Sequence, residues 1–110
     1  MSVIKFTRIN GMKCNGEVDY EIIDNPEYSV MKINLIMIGK KYRGKGYGRI
    51  LMENLINKAR SNGCKYIIVE LPLEEYGVYL PYKERRRFFE HFGFRFDDSG
   101  EKGVLKVSYA

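Results

Sequence analysis

Three glycines at alternate positions, Gly44, Gly46 and Gly48, stand among basic residues in the middle of the chain. The basic side chains around them are Lys40, Lys41, Arg43, Lys45 and Arg49. Glycines let successive backbone N–H groups turn towards one point, and the start of a helix adds unpaired donors and partial positive charge. The segment is therefore suited to bind a phosphate or a pyrophosphate, although a basic surface loop is the simpler alternative.

Two common phosphate motifs fit this turn poorly. The run from Gly39 to Lys45 matches the start of a P-loop, but Gly46 stands where a serine or threonine would hold magnesium. A dinucleotide fingerprint needs G-x-G-x-x-G and an acidic residue about 20 positions later, and Glu70 comes slightly late for that role. The spacing excludes neither phosphate nor pyrophosphate as the ligand.

A strand should precede the glycine turn and a helix should follow it. Residues 29–38 are dense in Ile, Leu, Val and Met, as expected of a central strand buried on both faces. The apolar residues after Tyr47 recur at helical spacing and are Ile50, Leu51, Leu55, Ile56 and Ala59. This pattern predicts a helix over about 47–62, and a strand over 66–71 that runs parallel to the first one.

The remaining elements complete one small sheet. Residues 3–9 and 17–23 should form an antiparallel pair around the turn at Asn10 and Gly11, and residues 72–80 a loop. Pro81 favours the start of a second helix over about 82–92, and strands are expected near 94–96 and 104–109. We therefore predict a single α+β domain over 1–110, with a mixed, mostly antiparallel sheet and two main helices.

Composition limits the class of protein. The chain has 110 residues, 45% of them hydrophobic, which suffices for one compact core. It has no apolar stretch of the roughly 18–20 residues that span a bilayer, and its start is unlike a signal peptide, so we expect a cytoplasmic protein without membrane contact. Cys14 and Cys64 lack the spacing of a zinc site, so no metal is predicted. The net charge of +5 would attract nucleic acid, anionic lipid or a phosphorylated cofactor.

Arg43, Gly46 and Gly48 satisfy a third motif, R-x-x-G-x-G, and here the sequence resembles the GCN5-related N-acetyltransferase (GNAT) family. A second segment, residues 88–94, resembles the family's F-Y-E-K-x-G-F segment. The resemblance implies acetyl-coenzyme A as the co-substrate. The residues that it implies for coenzyme binding are Ile36, Met37 and Ile38 beside pantetheine, Arg43, Gly44, Lys45, Gly46, Tyr47 and Gly48 at the pyrophosphate, and Phe89.

The resemblance also bears on which residues act as acid and base. Phe89 stands where the family commonly carries a tyrosine that protonates the departing thiolate. Tyr82 lies seven residues earlier on the same helical face and is our substitute for that acid. Simple packing is one alternative, and contact with pantetheine alone is the other, since the resemblance aligns Tyr82 with an asparagine in that role. Glu70, at the end of the second parallel strand, is our candidate base, with pairing to a neighbouring lysine as the alternative.

The function implied is transfer of an acetyl group to a primary amine, on a small molecule or on a protein lysine or N-terminus. A non-catalytic module that binds coenzyme A is the main alternative, since Phe89 lacks a hydroxyl group. A nucleic-acid-binding domain has only the net charge in its favour. Exposed strand edges are compatible with a homodimer.

Overall fold

A computed structural model describes residues 3–71 and 82–107, and the predicted loop at 72–80 lies outside them. The elements in chain order are β1 (Ile4–Ile9), β2 (Met12–Asp24), β3 (Ser29–Ile38), α1 (Tyr47–Ser61), β4 (Cys64–Glu70), α2 (Tyr82–His91), β5 (Arg95–Phe96) and β6 (Lys102–Lys106). A short 3₁₀ turn, Lys40–Tyr42, joins β3 to the glycine turn. Neither helix is long and apolar enough to cross a bilayer.

The strands form one sheet in the order β1-β2-β3-β4-β6-β5. Only β3 and β4 are parallel, because α1 returns the chain to the same end of the sheet before β4 begins. All other pairs are antiparallel. The predicted α+β class, the mixed sheet and the two helices are confirmed.

The first hairpin is longer than predicted. Asn10 and Gly11 both have positive φ and form its tight turn, with Ile9 opposite Met12. The sequence pattern placed the start of β2 at residue 17, whereas the strand begins at Met12. Gly16 lies inside the strand, since the ring of Phe6 occupies the space that a larger side chain would need.

The two helices lie on the same side of the sheet, which we call the helix face. It carries the buried side chains of β3 and β4, namely Met31, Ile33, Ile38, Ile67 and Val69, which form one core cluster with residues of both helices. A Cβ on Gly48 in α1 would lie 3.5 Å from the ring of Phe88 in α2, so the helices meet beside the glycine turn. Burial of this face is the main source of stability.

The opposite side of the sheet, which we call the open face, is covered by neither α1 nor α2. Cross-strand register places on it the apolar side chains Val30, Leu35, Met37, Ile68 and Val104, all outside the core cluster. We expected β3 to be buried on both faces. That expectation holds for Val30 and Met31 but is wrong from Asn34 onwards, where most side chains are partly exposed.

β3 contains one extra residue at its middle. Tyr20 of β2 pairs with Ile33, whereas the neighbouring Asp19 pairs with Leu35, so Asn34 is a β-bulge. The last pair between β3 and β4 is Ile33 with Val69. Beyond the bulge β3 stays paired with β2 and parts from β4, and we call the resulting gap the β3–β4 cleft.

α2 is fixed to the turn between β5 and β6. The hydroxyl of Tyr82 donates a hydrogen bond to the carbonyl oxygen of Gly100, and the guanidinium of Arg86 lies 5.2 Å from the centre of the Phe96 ring. Gly100 has a φ of +75° and no room for a Cβ beside that hydroxyl. The hydroxyl of Ser99 donates to Asp97, and this bond first, with backbone N–H donors, lowers the pKa of the Asp97 carboxyl.

The first prediction concerns this contact. Tyr82→Phe removes the hydroxyl donor and should lower the free energy of unfolding by about 1 kcal/mol. In a domain of this size that corresponds to a fall in Tm of roughly 4–8 °C by calorimetry. Tyr28→Phe, which removes a hydroxyl from an exposed tyrosine before β3, is the control and should leave Tm unchanged. Equal Tm values for the two variants would contradict the assignment.

Candidate functional site

The turn after β3 is held in place by backbone hydrogen bonds. The N–H of Gly39 donates to the carbonyl of Asn15 at 2.6 Å, and the N–H of Tyr42 donates to the carbonyl of Gly39 at 2.9 Å. A Cβ on Gly39 would lie 2.9 Å from the Asn15 oxygen, so the close approach of β2 requires glycine here. The end of β3 is thus fixed before the chain enters the glycine turn.

Arg43, the arginine of the motif, also supports this turn. Its Nε donates to the carbonyl of Ile38 at 2.9 Å, which joins the turn to the last residue of β3. The side chain is half-buried. The arginine therefore shapes the turn, a contribution that the motif alone did not reveal.

Two of the three glycines have backbone angles that favour glycine. Gly44 has a φ of +76° and Gly46 a φ of +86°, and apart from the adjacent residues no atom in residues 3–71 and 82–107 lies within 4 Å of a Cβ built on either one. Backbone conformation, and not crowding by the protein, is the reason for glycine at both positions. The open space beside them leaves room for a ligand.

The N-terminus of α1 has no side-chain cap from its own N-cap residue. That residue is Gly46, which has no side chain, and the first turn of the helix contains no acidic residue. The first N–H to bond within the helix is that of Ile50, which donates to the carbonyl of Gly46 at 3.3 Å. The earlier N–H groups, together with the exposed Lys45 and Arg49, are suited to bind an anion, and we call them the anion site.

The predicted strand residues Ile36, Met37 and Ile38 lie between this anion site and the β3–β4 cleft. They pair with β2 on one side only, because pairing with β4 ended at Ile33. Their other backbone edge faces the cleft and could pair with an extended ligand. The predicted coenzyme-binding residues of the strand and of the turn are therefore contiguous.

Glu70 lies at the mouth of the cleft. It is the last residue of β4, one position beyond the last pair with β3. Its carboxylate is 4.0 Å from the ammonium of Lys32, and its side chain is 60% exposed. Both of our interpretations, a base beside the cleft and a partner for a lysine, remain compatible with this position.

Phe89 and Tyr82 both pack on the core, as their spacing predicted. Phe89 is only 8% exposed and contacts the rings of Phe88 and Phe94 edge to face. The Tyr82 hydroxyl, however, is directed to Gly100 in the β5–β6 turn. Its role as an acid stays a prediction, and for that role the hydroxyl has to leave Gly100.

Our sequence reasoning missed one residue near the cleft. Asp19 of β2 is 7% exposed and pairs with Leu35, directly beside the bulge at Asn34. The signal was present in the sequence, because Glu17, Asp19 and Glu21 alternate with apolar residues and must share one face of a strand.

Similar folds occur among solved acetyltransferases. The ribosomal-protein-S18-alanine N-acetyltransferase from Escherichia coli is 17% identical, with a TM-score of 0.67 over 98% of this chain and 71% of that one. Ard1 from Thermoplasma volcanium is 15% identical, with a TM-score of 0.68 over 91% and 67%. Arabidopsis thaliana Naa50, solved with the bisubstrate analogue CoA-Ac-MVNAL, is 16% identical, with a TM-score of 0.63 over 91% and 68%. At these identities the likeness shows the fold alone.

The chain is shorter than the structures that it resembles and spans between 58% and 71% of their lengths. No curated protein matches the sequence significantly. The profile of the Acetyltransferase (GNAT) family matches residues 13–94 of the 110, and the chain therefore belongs to the GNAT family.

Proposed function

We propose that this protein transfers an acetyl group from acetyl-coenzyme A to a primary amine, by direct attack within a ternary complex. The observation that carries this proposal is the uncapped N-terminus of α1, set beside the free edge of β3 at the β3–β4 cleft. An anion site next to an unpaired strand edge suits a ligand that has a pyrophosphate at one end and an amide-containing arm at the other.

In this proposal the coenzyme lies along the motif residues. The N–H groups from Gly44 to Gly48 donate to the pyrophosphate, with Lys45 adding positive charge. The pantetheine arm pairs with the edge of Ile36 to Ile38 and carries the thioester into the cleft. The ring of Tyr47 contacts that of Tyr42 edge to face, with 6.2 Å between the ring centres.

The reaction needs an unprotonated amine. Its nitrogen attacks the thioester carbonyl carbon, the carbon–sulfur bond breaks, and the thiolate of coenzyme A leaves with the bonding electrons. Glu70, or water beside it, accepts the proton that the amine loses, and Tyr82 gives a proton to the thiolate. The exposure of Glu70 at the cleft supports its part, whereas Tyr82 first has to break its bond to Gly100.

Direct attack is favoured over an acetyl-cysteine intermediate. Burial raises the pKa of the Cys14 thiol. Burial first, and the charge of Asp24 second, raise the pKa of the Cys64 thiol. Thiols with raised pKa values are poor nucleophiles at neutral pH.

A non-catalytic module that binds coenzyme A is the second candidate. It is favoured by Phe89, which lies in the aromatic core and has no hydroxyl group to donate. Measured turnover with any amine decides between the two. Residence in the cytoplasm and pairing of two copies through strand edges stay predictions.

The second prediction tests the coenzyme site. Acetyl-coenzyme A at 100 times its dissociation constant should stabilise the protein by about 2.7 kcal/mol, seen as a higher Tm. Gly46→Val should abolish this shift, because the side chain fills the space beside the turn and strains its φ. Gly63→Val is the matched control: Gly63 has a φ of +72° with open space around it at the far end of α1. Loss of coenzyme binding in both variants, or in neither, would contradict the site.

A third prediction concerns charge at the turn. Lys45→Glu should weaken coenzyme binding by about 10-fold at low salt and clearly less at high salt, because exposed charges are screened. Lys58→Glu makes the same charge change in the last turn of α1 and should have little effect. Calorimetric titrations at two salt concentrations measure the affinity of both variants for acetyl-coenzyme A. Equal losses of affinity in the two variants would show a general effect of net charge.

The fourth prediction addresses turnover. If Tyr82 protonates the thiolate, Tyr82→Phe should lower kcat by roughly 10-fold to 100-fold, while KM for acetyl-coenzyme A barely changes. The assay must run well below the Tm of the variant, so that unfolded protein does not contribute to the fall in kcat. Normal turnover across the accessible pH range would assign Tyr82 to structure alone.

A further inference from the structure

Three acidic residues form a row on β2, and we call Glu17, Asp19 and Glu21 the acidic row. Their register partners Met37, Leu35 and Lys32 on β3 place all three side chains on the open face. Val18 and Tyr20 between them face the core. The row thus lies on the side of the sheet opposite both helices.

The three carboxylates have different neighbours. Glu17 has Lys5 as its register partner on β1, and Glu21 has Lys32 as its partner on β3. The ammonium of Lys32 also lies 4.0 Å from Glu70. Asp19, in the middle of the row, has the apolar Leu35 opposite it. The middle carboxylate is therefore the one that has no lysine among its described register partners on β1 and β3.

Asp19 is also the most buried member of the row. It is 7% exposed, and its Oδ1 atom is buried without a hydrogen bond to any part of the chain that the structure describes. Buried carboxylate oxygens are almost always satisfied by donors, because burial removes their water. The exception indicates that a donor from outside the described residues completes this position.

The position of Asp19 relates the row to the chemistry. Its partner Leu35 directly follows the bulge at Asn34, where β3 parts from β4. Neighbouring strands lie about 4.8 Å apart, so Asp19 lies roughly 5–10 Å from the cleft. A molecule that reacts in the cleft can therefore contact the acidic row with another of its groups.

The row lies roughly 5–10 Å from the cleft, beyond hydrogen-bond reach of the reacting nitrogen. An amine that stays ion-paired with the row would also stay protonated, and a protonated amine cannot attack a thioester, so the proton has to pass to a base at the cleft such as Glu70. The row instead suits a second cationic group that stays charged throughout the reaction. Such a group also supplies an N–H donor to Oδ1 of Asp19, which has none among the described residues.

We propose that the acceptor carries a second positive charge, roughly 5–10 Å from the amine that reacts, and that Asp19, flanked by Glu17 and Glu21, binds it. The acceptor class is thus a diamine, or a peptide with a basic residue beside the reacting amine. This inference rests on the proposed function, because it names the substrate class of the same site.

A matched pair of amines tests the second charge. 1,5-Diaminopentane and pentylamine have the same carbon chain and differ in one ammonium group. We expect kcat/KM for the diamine, corrected for its two equivalent amines, to exceed that for pentylamine by about 10-fold to 100-fold, as for a hydrogen bond to a charged group. Equal values would overturn the inference and leave the proposed function standing. Two lysine peptides that differ in a neighbouring arginine or citrulline then separate a peptide acceptor from a small polyamine.

Asp19→Asn tests the residue with two opposed readouts. The preference for the diamine should fall to about 2-fold or less, through KM and not kcat. The Tm without ligand should stay unchanged or rise, because the variant removes a buried charge whose Oδ1 has no donor among the described residues. A structural carboxylate would instead give a lower Tm with the preference retained, which would overturn the assignment. Glu53→Gln removes one charge from an exposed position of α1 and should change neither the preference for the diamine nor the Tm.

Binding measured without turnover keeps the two proposals separate. 1,5-Diaminopentane is titrated by calorimetry into wild-type protein and Asp19→Asn protein, both saturated with coenzyme A. Binding to the wild type that weakens at least 10-fold in the variant supports the acidic row, even if neither amine is acetylated and the proposed function fails. Absence of binding to the wild type, or equal binding to both, overturns the row as a cation site.

Discussion

The separation of β3 from β4 is the constraint on which the site depends. Asn34 is one extra residue in β3 and shifts the register of β3 against β2. Pairing with β2 nevertheless resumes beyond Asn34 and continues to the pair of Gly16 with Ile38. The partner that β3 loses is therefore β4, and a backbone edge in the middle of the sheet is left unpaired. An edge in the interior of a sheet is accessible only at such a gap, so the gap determines where an extended ligand can pair.

The glycine turn depends on the same separation, because it begins where β3 ends. Gly39 and Arg43 bond to neighbouring carbonyls and fix the frame of the turn. The first N–H groups of α1 are left without a cap, which costs helix stability when no ligand is bound. Side chains and backbone atoms that only support the turn are thus separate from the N–H groups that our proposal assigns to the coenzyme pyrophosphate. In that proposal, the supporting bonds hold the N–H groups in place before the coenzyme binds.

Local patterns predicted the elements well, whereas contacts between distant residues were not predictable. The apolar run of β3 and the helical spacing after Tyr47 gave both elements nearly correct bounds. Asn34 carried no signal of a bulge, because the register that reveals it belongs to β2. The spacing of Tyr82 correctly indicated a core-facing side chain, yet its hydroxyl partner, Gly100, lies 18 residues away in another element. The motif found the glycine turn because its chemistry is confined to consecutive residues.

The open face presents a different physical problem for recognition. Glu17 and Glu21 are only partly buried and have lysines as register partners, so their attraction for a ligand is partly compensated and is screened by salt. Asp19 lies between them at 7% exposure, where the effective dielectric constant is lower and a charge interacts more strongly. A strand holds this carboxylate more rigidly than a loop would. In our proposal, the preference for an acceptor with a second positive charge therefore depends most on Asp19, the least exposed of the three. The two outer carboxylates mainly raise the local concentration of cations.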